Sequence, residues 1–147
     1  MSETMSRSDD HPQHGEVREI PTVRNATTLV YAPERDGLAD AGEIVWTWVP
    51  YEEDPGRGKD RPLLVVGRRD GLLHGLMLSS RRPDGWEVQD WLPIGSGPWD
   101  REQRDSYVRV DRLFEFDEDG IRREAAVMDE DLFWRVAAVL RSRYGWR

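Results

Sequence analysis

Between Trp48 and Leu63 the chain reads WVPYEEDPGRGKDRPL, and this stretch holds the residue types best suited to handling an anion. A polar loop follows Pro50 and closes on Lys59-Asp60-Arg61-Pro62, immediately before the apolar run Leu63-Leu64-Val65-Val66. A guanidinium at the exit of a loop, with its backbone fixed by a core strand, presents a rigid fork of donors that matches phosphate. Lys59 stands where a phosphate can reach it. A later apolar run ends in Ser79-Ser80 and supplies hydroxyls. Arg109 and Asp111, two residues apart, share one face of a strand. Asp111 is a candidate base, although the two together also fit a plain surface ion pair. Trp48, Trp91 and Trp99 offer flat rings on which unpaired bases can stack. RNA carries its own nucleophile, the 2′-hydroxyl. Cleaving it requires a base for that proton and fixed cations for the charge that builds on phosphorus. Arg61, Ser79 and Asp111 are the types that this task needs.

The elements that must hold these residues are short. Glu43–Val49 alternates as a strand and stops at Pro50. Leu63–Arg68 is apolar enough to be covered on both faces. Arg69-Asp70-Gly71 is a hairpin turn leading into Leu72–Ser79. Pro83-Asp84-Gly85 turns into a strand expected over Trp86–Ile94, and Gly95-Ser96-Gly97-Pro98 is a loop. Tyr107–Phe116 is the next strand, and its parity slips between Val110 and Leu113, which implies a bulge. Asp117-Glu118-Asp119-Gly120 is an acidic turn before a short strand over Ile121–Met128. Asp129 then caps a helix over Glu130–Tyr144, with Leu132, Val136, Val139, Leu140 and Tyr144 as its apolar stripe and Gly145 as its stop. Thr27–Ala32 is a possible further strand. Residues 1 to about 25 lack periodicity and read as a disordered tail, in which His11 and His14 are too mobile to hold a metal. Five or six strands and one C-terminal helix predict a mainly β protein, a small, strongly bent antiparallel barrel. The division expected is 1–41 as a largely disordered extension and 42–147 as the barrel domain.

Composition narrows the function. The 147 residues suffice for one domain, there is no cysteine, and no 18-residue apolar stretch or apolar leader is visible. A cytoplasmic protein is expected. The net charge of −8 argues against indiscriminate binding to nucleic acid. Of 21 basic residues only Lys59 is a lysine, a bias that also fits GC-rich codon usage. Seven tryptophans exceed what one small core absorbs, so some are expected along a groove or an interface. No His/Cys/Asp cluster has metal-ligand spacing, and no cofactor is expected.

The order of these features resembles the MazF/PemK family of type II toxin–antitoxin endoribonuclease toxins, especially its actinobacterial branch. Gly42-Glu43-Ile44-Val45-Trp46 is similar to its opening strand, Arg61-Pro62-Leu63-Leu64-Val65-Val66 to its RP-initiated strand, and Leu78-Ser79-Ser80 to the Thr/Ser end of its third strand. Ser106-Tyr107-Val108-Arg109-Val110-Asp111 is similar to its serine and R-x-D element, and the likeness spans about 42–144. The resemblance implies an SH3-like barrel, a homodimer and an RNA groove across the dimer interface. It implies metal-independent cutting of single-stranded RNA at short sequences, and inhibition by a cognate antitoxin. By the same resemblance Arg61, Ser79, Arg109 and Asp111 are catalytic, and Lys59, Ser80, Trp48, Trp91 and Trp99 bind RNA. One departure stands out: the PemK branch carries a histidine in its first loop, and Tyr51–Asp60 has none. A catalytically inactive barrel that binds RNA or a partner protein is the alternative. A topoisomerase-directed toxin of the CcdB type is a third reading.

Overall fold

Apolar runs too short to form helices can bury their faces only by pairing into a sheet. The computed structural model describes residues 17–33 and 39–147, apart from the side chains of Arg123 and Glu124. Its strands are β1 (Val17–Ile20), β2 (Glu43–Pro50), β3 (Gly58–Arg69), β4 (Leu72–Ser79), β5 (Trp91–Gly95), β6 (Ser106–Phe116) and β7 (Ile121–Val127), followed by the helix α1 (Glu130–Tyr144). They form one sheet in the order β1-β6-β4-β3-β2-β7, every pairing antiparallel, with β5 also on β6. β5 pairs with the start of β6, from Ser106, and β1 with its end, to Phe116.

The sheet curls into a half-barrel, and both its faces are covered. Val45, Leu63, Val65, Phe114 and Phe116 pack together on one face. Ile44, Leu64, Leu76, Val110 and Leu113 pack on the other, against Phe133, Val136, Ala137 and Leu140 of α1. The four apolar residues after Pro62 are split between the two clusters, as a strand buried on both sides requires. Burying each such side chain contributes roughly 1.5–3 kcal/mol before entropy is counted. The turn between β3 and β4 places Asp70 at φ 53° and Gly71 at φ 82°, the left-handed pair of a two-residue hairpin. At Gly58, opposite Pro50, a Cβ would lie 2.2 Å from the Val49 carbonyl oxygen, so only glycine closes the β2–β3 loop this tightly. The bulge expected in the long strand is present: Leu76 faces Leu113, but Leu78 faces Val108. α1 has the expected bounds and ends at Gly145 with φ 75°. Its most buried residues are Phe133, Val136, Ala137 and Leu140, with Leu132, Val139 and Tyr144 on the margin. No helix among the described residues is long and apolar enough to cross a membrane.

Several elements differ from the sequence reading. Trp86–Ile94 is not one strand: Gly85–Asp90 is a 3-10 turn, and only Trp91–Gly95 pairs. Trp86 is 79% exposed, so nothing draws that segment into the sheet. The second core strand starts five residues early, because polar Gly58–Pro62 continue the ladder with β2. Thr27–Ala32 is not a strand, although Leu29 is buried and the Tyr31 hydroxyl donates to the Met128 carbonyl at 2.6 Å. Residues 17–25, expected to be disordered, form β1 and a 3-10 turn. Four residues are too few to show a period, and β1 is fixed by partners distant in sequence. Arg18 pairs with Glu115 and Glu19 with Arg112, while the Trp146 indole N–H donates to the Thr22 carbonyl. The tail expectation for residues 1–16, with His11 and His14, lies outside the described residues.

Candidate functional site

One register relation brings the first two candidates together. Leu63 on β3 pairs with Met77 on β4. Two residues further along each strand, on the same face, stand Arg61 and Ser79. The β2–β3 loop rises beside them, and β5 and β6 approach from the other side. Between these elements lies an open cleft of about 580 Å³. Seven basic and five acidic residues line it, a surplus of positive charge in a chain of net charge −8. Field lines concentrate in such a recess, so its basic surplus matters more than the overall charge.

Arg61 is half-buried and has no hydrogen-bonding or ion-pair partner among the described residues. Burial, and then the nearby charge of Arg112, press its pKa below the ordinary arginine value. A desolvated cation without a fixed partner is ready for an anionic ligand. Ser79 accepts a hydrogen bond from the Arg81 backbone N–H at 3.1 Å, which leaves its own O–H free to donate. Lys59 and Ser80 also line the cleft.

Arg109 is differently placed. Its guanidinium forks onto Asp111, with Nε to Oδ1 at 2.7 Å and Nη2 to Oδ2 at 3.0 Å. It forks again onto Glu52 of the β2–β3 loop, at 3.0 and 3.3 Å. Trp91, its cross-strand partner, lies 5.5 Å from the guanidinium carbon. Burial works against the Arg109 charge, but the hydrogen bonds it donates to Asp111 and Glu52 outweigh it and raise the pKa. The Arg109 hydrogen bond, with help from Arg112, holds Glu52 below the usual carboxylate range. The Glu52 side chain is 60% exposed and that of Asp111 only 27%, so Glu52 is the partner that leaves more easily.

Seven of the nine sequence candidates therefore line the cleft: Arg61, Ser79, Arg109, Lys59, Ser80, Trp91 and Trp99. Trp99 does so with a ring only 6% exposed, its N–H donated to Ser106 Oγ at 3.0 Å, and it presents no free face for a base. Trp48 and Asp111 are not on the lining. Asp111 stands behind Arg109, with both oxygens engaged. Glu52 and Arg112 also line the cleft and were not among the sequence candidates. The parity slip at the bulge was the signal for Arg112, since an extra residue re-aims its neighbours. His74 is a buried sheet histidine, with Nε2 3.0 Å from Glu115 and Nδ1 without a partner among the described residues.

Known structures share this architecture. The chain is similar to the MazE–MazF complex from Deinococcus radiodurans, at 20% identity and TM-score 0.54, over 75% of this chain and 98% of that one. It is similar to MazF from the same organism at 22% identity and TM-score 0.51, over 71% and 94% of the two chains. No curated protein sequence matches. A family model described as PemK-like, MazF-like toxin of type II toxin–antitoxin system matches residues 40–143, which include every residue of the cleft named above. With most of its length inside that match, the chain belongs to the PemK-like, MazF-like toxins of type II toxin–antitoxin systems.

Proposed function

We propose that this toxin is a sequence-specific, metal-independent endoribonuclease that cuts single-stranded RNA. The observation that carries the reading is Arg61, a half-buried guanidinium with no hydrogen-bond or ion-pair partner among the described residues, beside the free hydroxyl proton of Ser79 in a cleft of surplus positive charge. A phosphodiester placed between them has a fork of donors on its non-bridging oxygens and an orienting hydroxyl at its edge. The 2′-hydroxyl attacks phosphorus, the P–O5′ bond breaks, and the products are a cyclic phosphate and a 5′-hydroxyl. Arg109 supplies a second fork once the phosphate displaces Glu52, the more exposed of its two carboxylates. Trp91 beside it stacks a base. The displaced Glu52, on the cleft lining, is the candidate base, with Asp111 behind Arg109 as the other.

The solved MazE–MazF complex supports a cognate antitoxin as the partner of this chain, and an acidic segment suits its basic cleft. A homodimer is part of the same reading, and light scattering at micromolar concentration checks it by reading two chains. Incubation with a mixed-sequence RNA and the matching DNA tests the activity. Cuts at one short sequence in RNA alone are expected. Equal cutting of DNA, or no cutting, contradicts the reading. A catalytically inactive RNA-binding or protein-binding barrel is the second reading, and the engagement of both Asp111 oxygens by Arg109 favours it.

A further inference from the structure

We propose that Arg112 is a phosphate-contacting residue of this cleft and that Glu19, on the N-terminal strand, is its positioning residue. The inference deepens the function proposed above and rests on it. Arg112 follows Asp111 on β6, inside the bulge, and its side chain is 6% exposed where it lines the cleft. Two contacts fix it. Nη2 donates to Glu19 at 2.9 Å, and the guanidinium carbon lies 4.8 Å from the centre of the Phe114 ring. Its Nε is buried and has no hydrogen-bond partner among the described residues. A buried donor without an acceptor is costly, and folded proteins keep few of them without a use.

The surroundings identify the missing acceptor as an anion. Arg61 and Arg112 both line the cleft, and the Arg112 charge is close enough to press on the Arg61 pKa. An oxyanion between the two relieves their repulsion and satisfies the open Nε. Phosphate suits both, because its oxygens accept from several forks at once. Glu19 offsets the buried charge of Arg112 and occupies one arm, so that the rest of the fork is presented in one orientation. Glu19 belongs to β1, outside residues 40–143 that the family model matches. The segment before the family core is on this account a part of the active site rather than an appendage.

The test uses the full chain and the arginine Nε–H signals in nitrogen-edited NMR. Arg112→Lys removes one signal and so assigns it. The wild type is titrated first with inorganic phosphate and then with an oligonucleotide whose sugars lack the 2′-hydroxyl. The Arg112 signal is expected to move with both, and in Glu19→Gln its saturation midpoint should rise roughly tenfold, less than the ~10²-fold effect of removing a donor outright. Glu19→Asp should recover most of the wild-type kcat, while Glu19→Gln does not, at matched thermal midpoints. If the Arg112 signal stays still while that of Arg61 moves, Arg112 is structural and the cleft reading survives. If no arginine signal moves with either ligand, both readings fall.

Discussion

Glu52 holds a place that a phosphate has to take, so Glu52→Gln should tighten the binding of an uncleavable oligonucleotide. The carboxylate accepts two hydrogen bonds from Arg109 while its side chain remains 60% exposed. An ion pair this open to water contributes about 0.2–1 kcal/mol. Because every 1.4 kcal/mol is tenfold in affinity, the expected gain is about 1.4-fold to 5-fold. The charge of Arg109 stays compensated in the variant, since Asp111 still accepts two bonds from it. The fold should therefore lose little, and the thermal midpoint should stay within a few degrees of wild type. Added salt should shrink the gain, because an exposed competitor is screened. Fluorescence anisotropy with an oligonucleotide lacking 2′-hydroxyls, at two salt concentrations, reads both effects. Unchanged or weaker binding refutes the idea that Glu52 and phosphate compete for Arg109. A drop in cleavage of about 10²-fold or more at unchanged affinity makes Glu52 the base instead.

Three further outcomes are expected. Arg61→Ala should lower the cleavage rate by about 10²–10³-fold, and Ser79→Ala by less, because a neutral donor stabilises developing charge less than a guanidinium does. Single-turnover rates decide the order. Arg61→Ala should leave the thermal midpoint unchanged or raise it, because burial disfavours this unpartnered charge; a clear fall in a melting experiment contradicts that. The third concerns pH. The hydrogen bond to His74, followed by that from Arg18, holds Glu115 below the usual carboxylate range. A depressed folded pKa stabilises above the unfolded value, near ~4.3, and that stability is lost as pH falls through the folded value. Glu115→Gln should remove this acid-side loss, seen as a flatter midpoint-against-pH curve below about pH 4.5.

Much of the scaffold was legible because it is written locally. Asp70-Gly71 announces its turn, Gly145 marks the end of the helix from Glu130 to Tyr144 although Asp129 makes no side-chain cap hydrogen bond at its start, and the parity slip before Leu113 marks a bulge that the ladder contains. Arg61 and Ser79 were legible as residue types, but Arg61 lies inside β3 rather than at a loop exit, and the juxtaposition of the two follows from the β3–β4 register. What could not be read depends on partners far apart in the chain. β1 exists because Arg18 and Glu19 meet Glu115 and Arg112 some 93 to 97 residues later. The β2–β3 loop carries Glu52 to Arg109, 57 residues on, which no local pattern announces. The tryptophans divide in the same way. Trp99 is used as core and Trp86 is left in solvent, a distinction that sequence spacing does not carry.

The central claim is that the cleft around Arg61 breaks RNA without a metal. The most direct test is a single-turnover assay on single-stranded RNA in excess EDTA, run with wild type and Arg61→Ala, with the ends of the downstream fragment identified. The account predicts cutting by wild type, a 5′-hydroxyl on that fragment, and a rate about 10²–10³-fold lower in the variant. Abolition by EDTA, a 5′-phosphate end, or equal rates for the two proteins contradicts it.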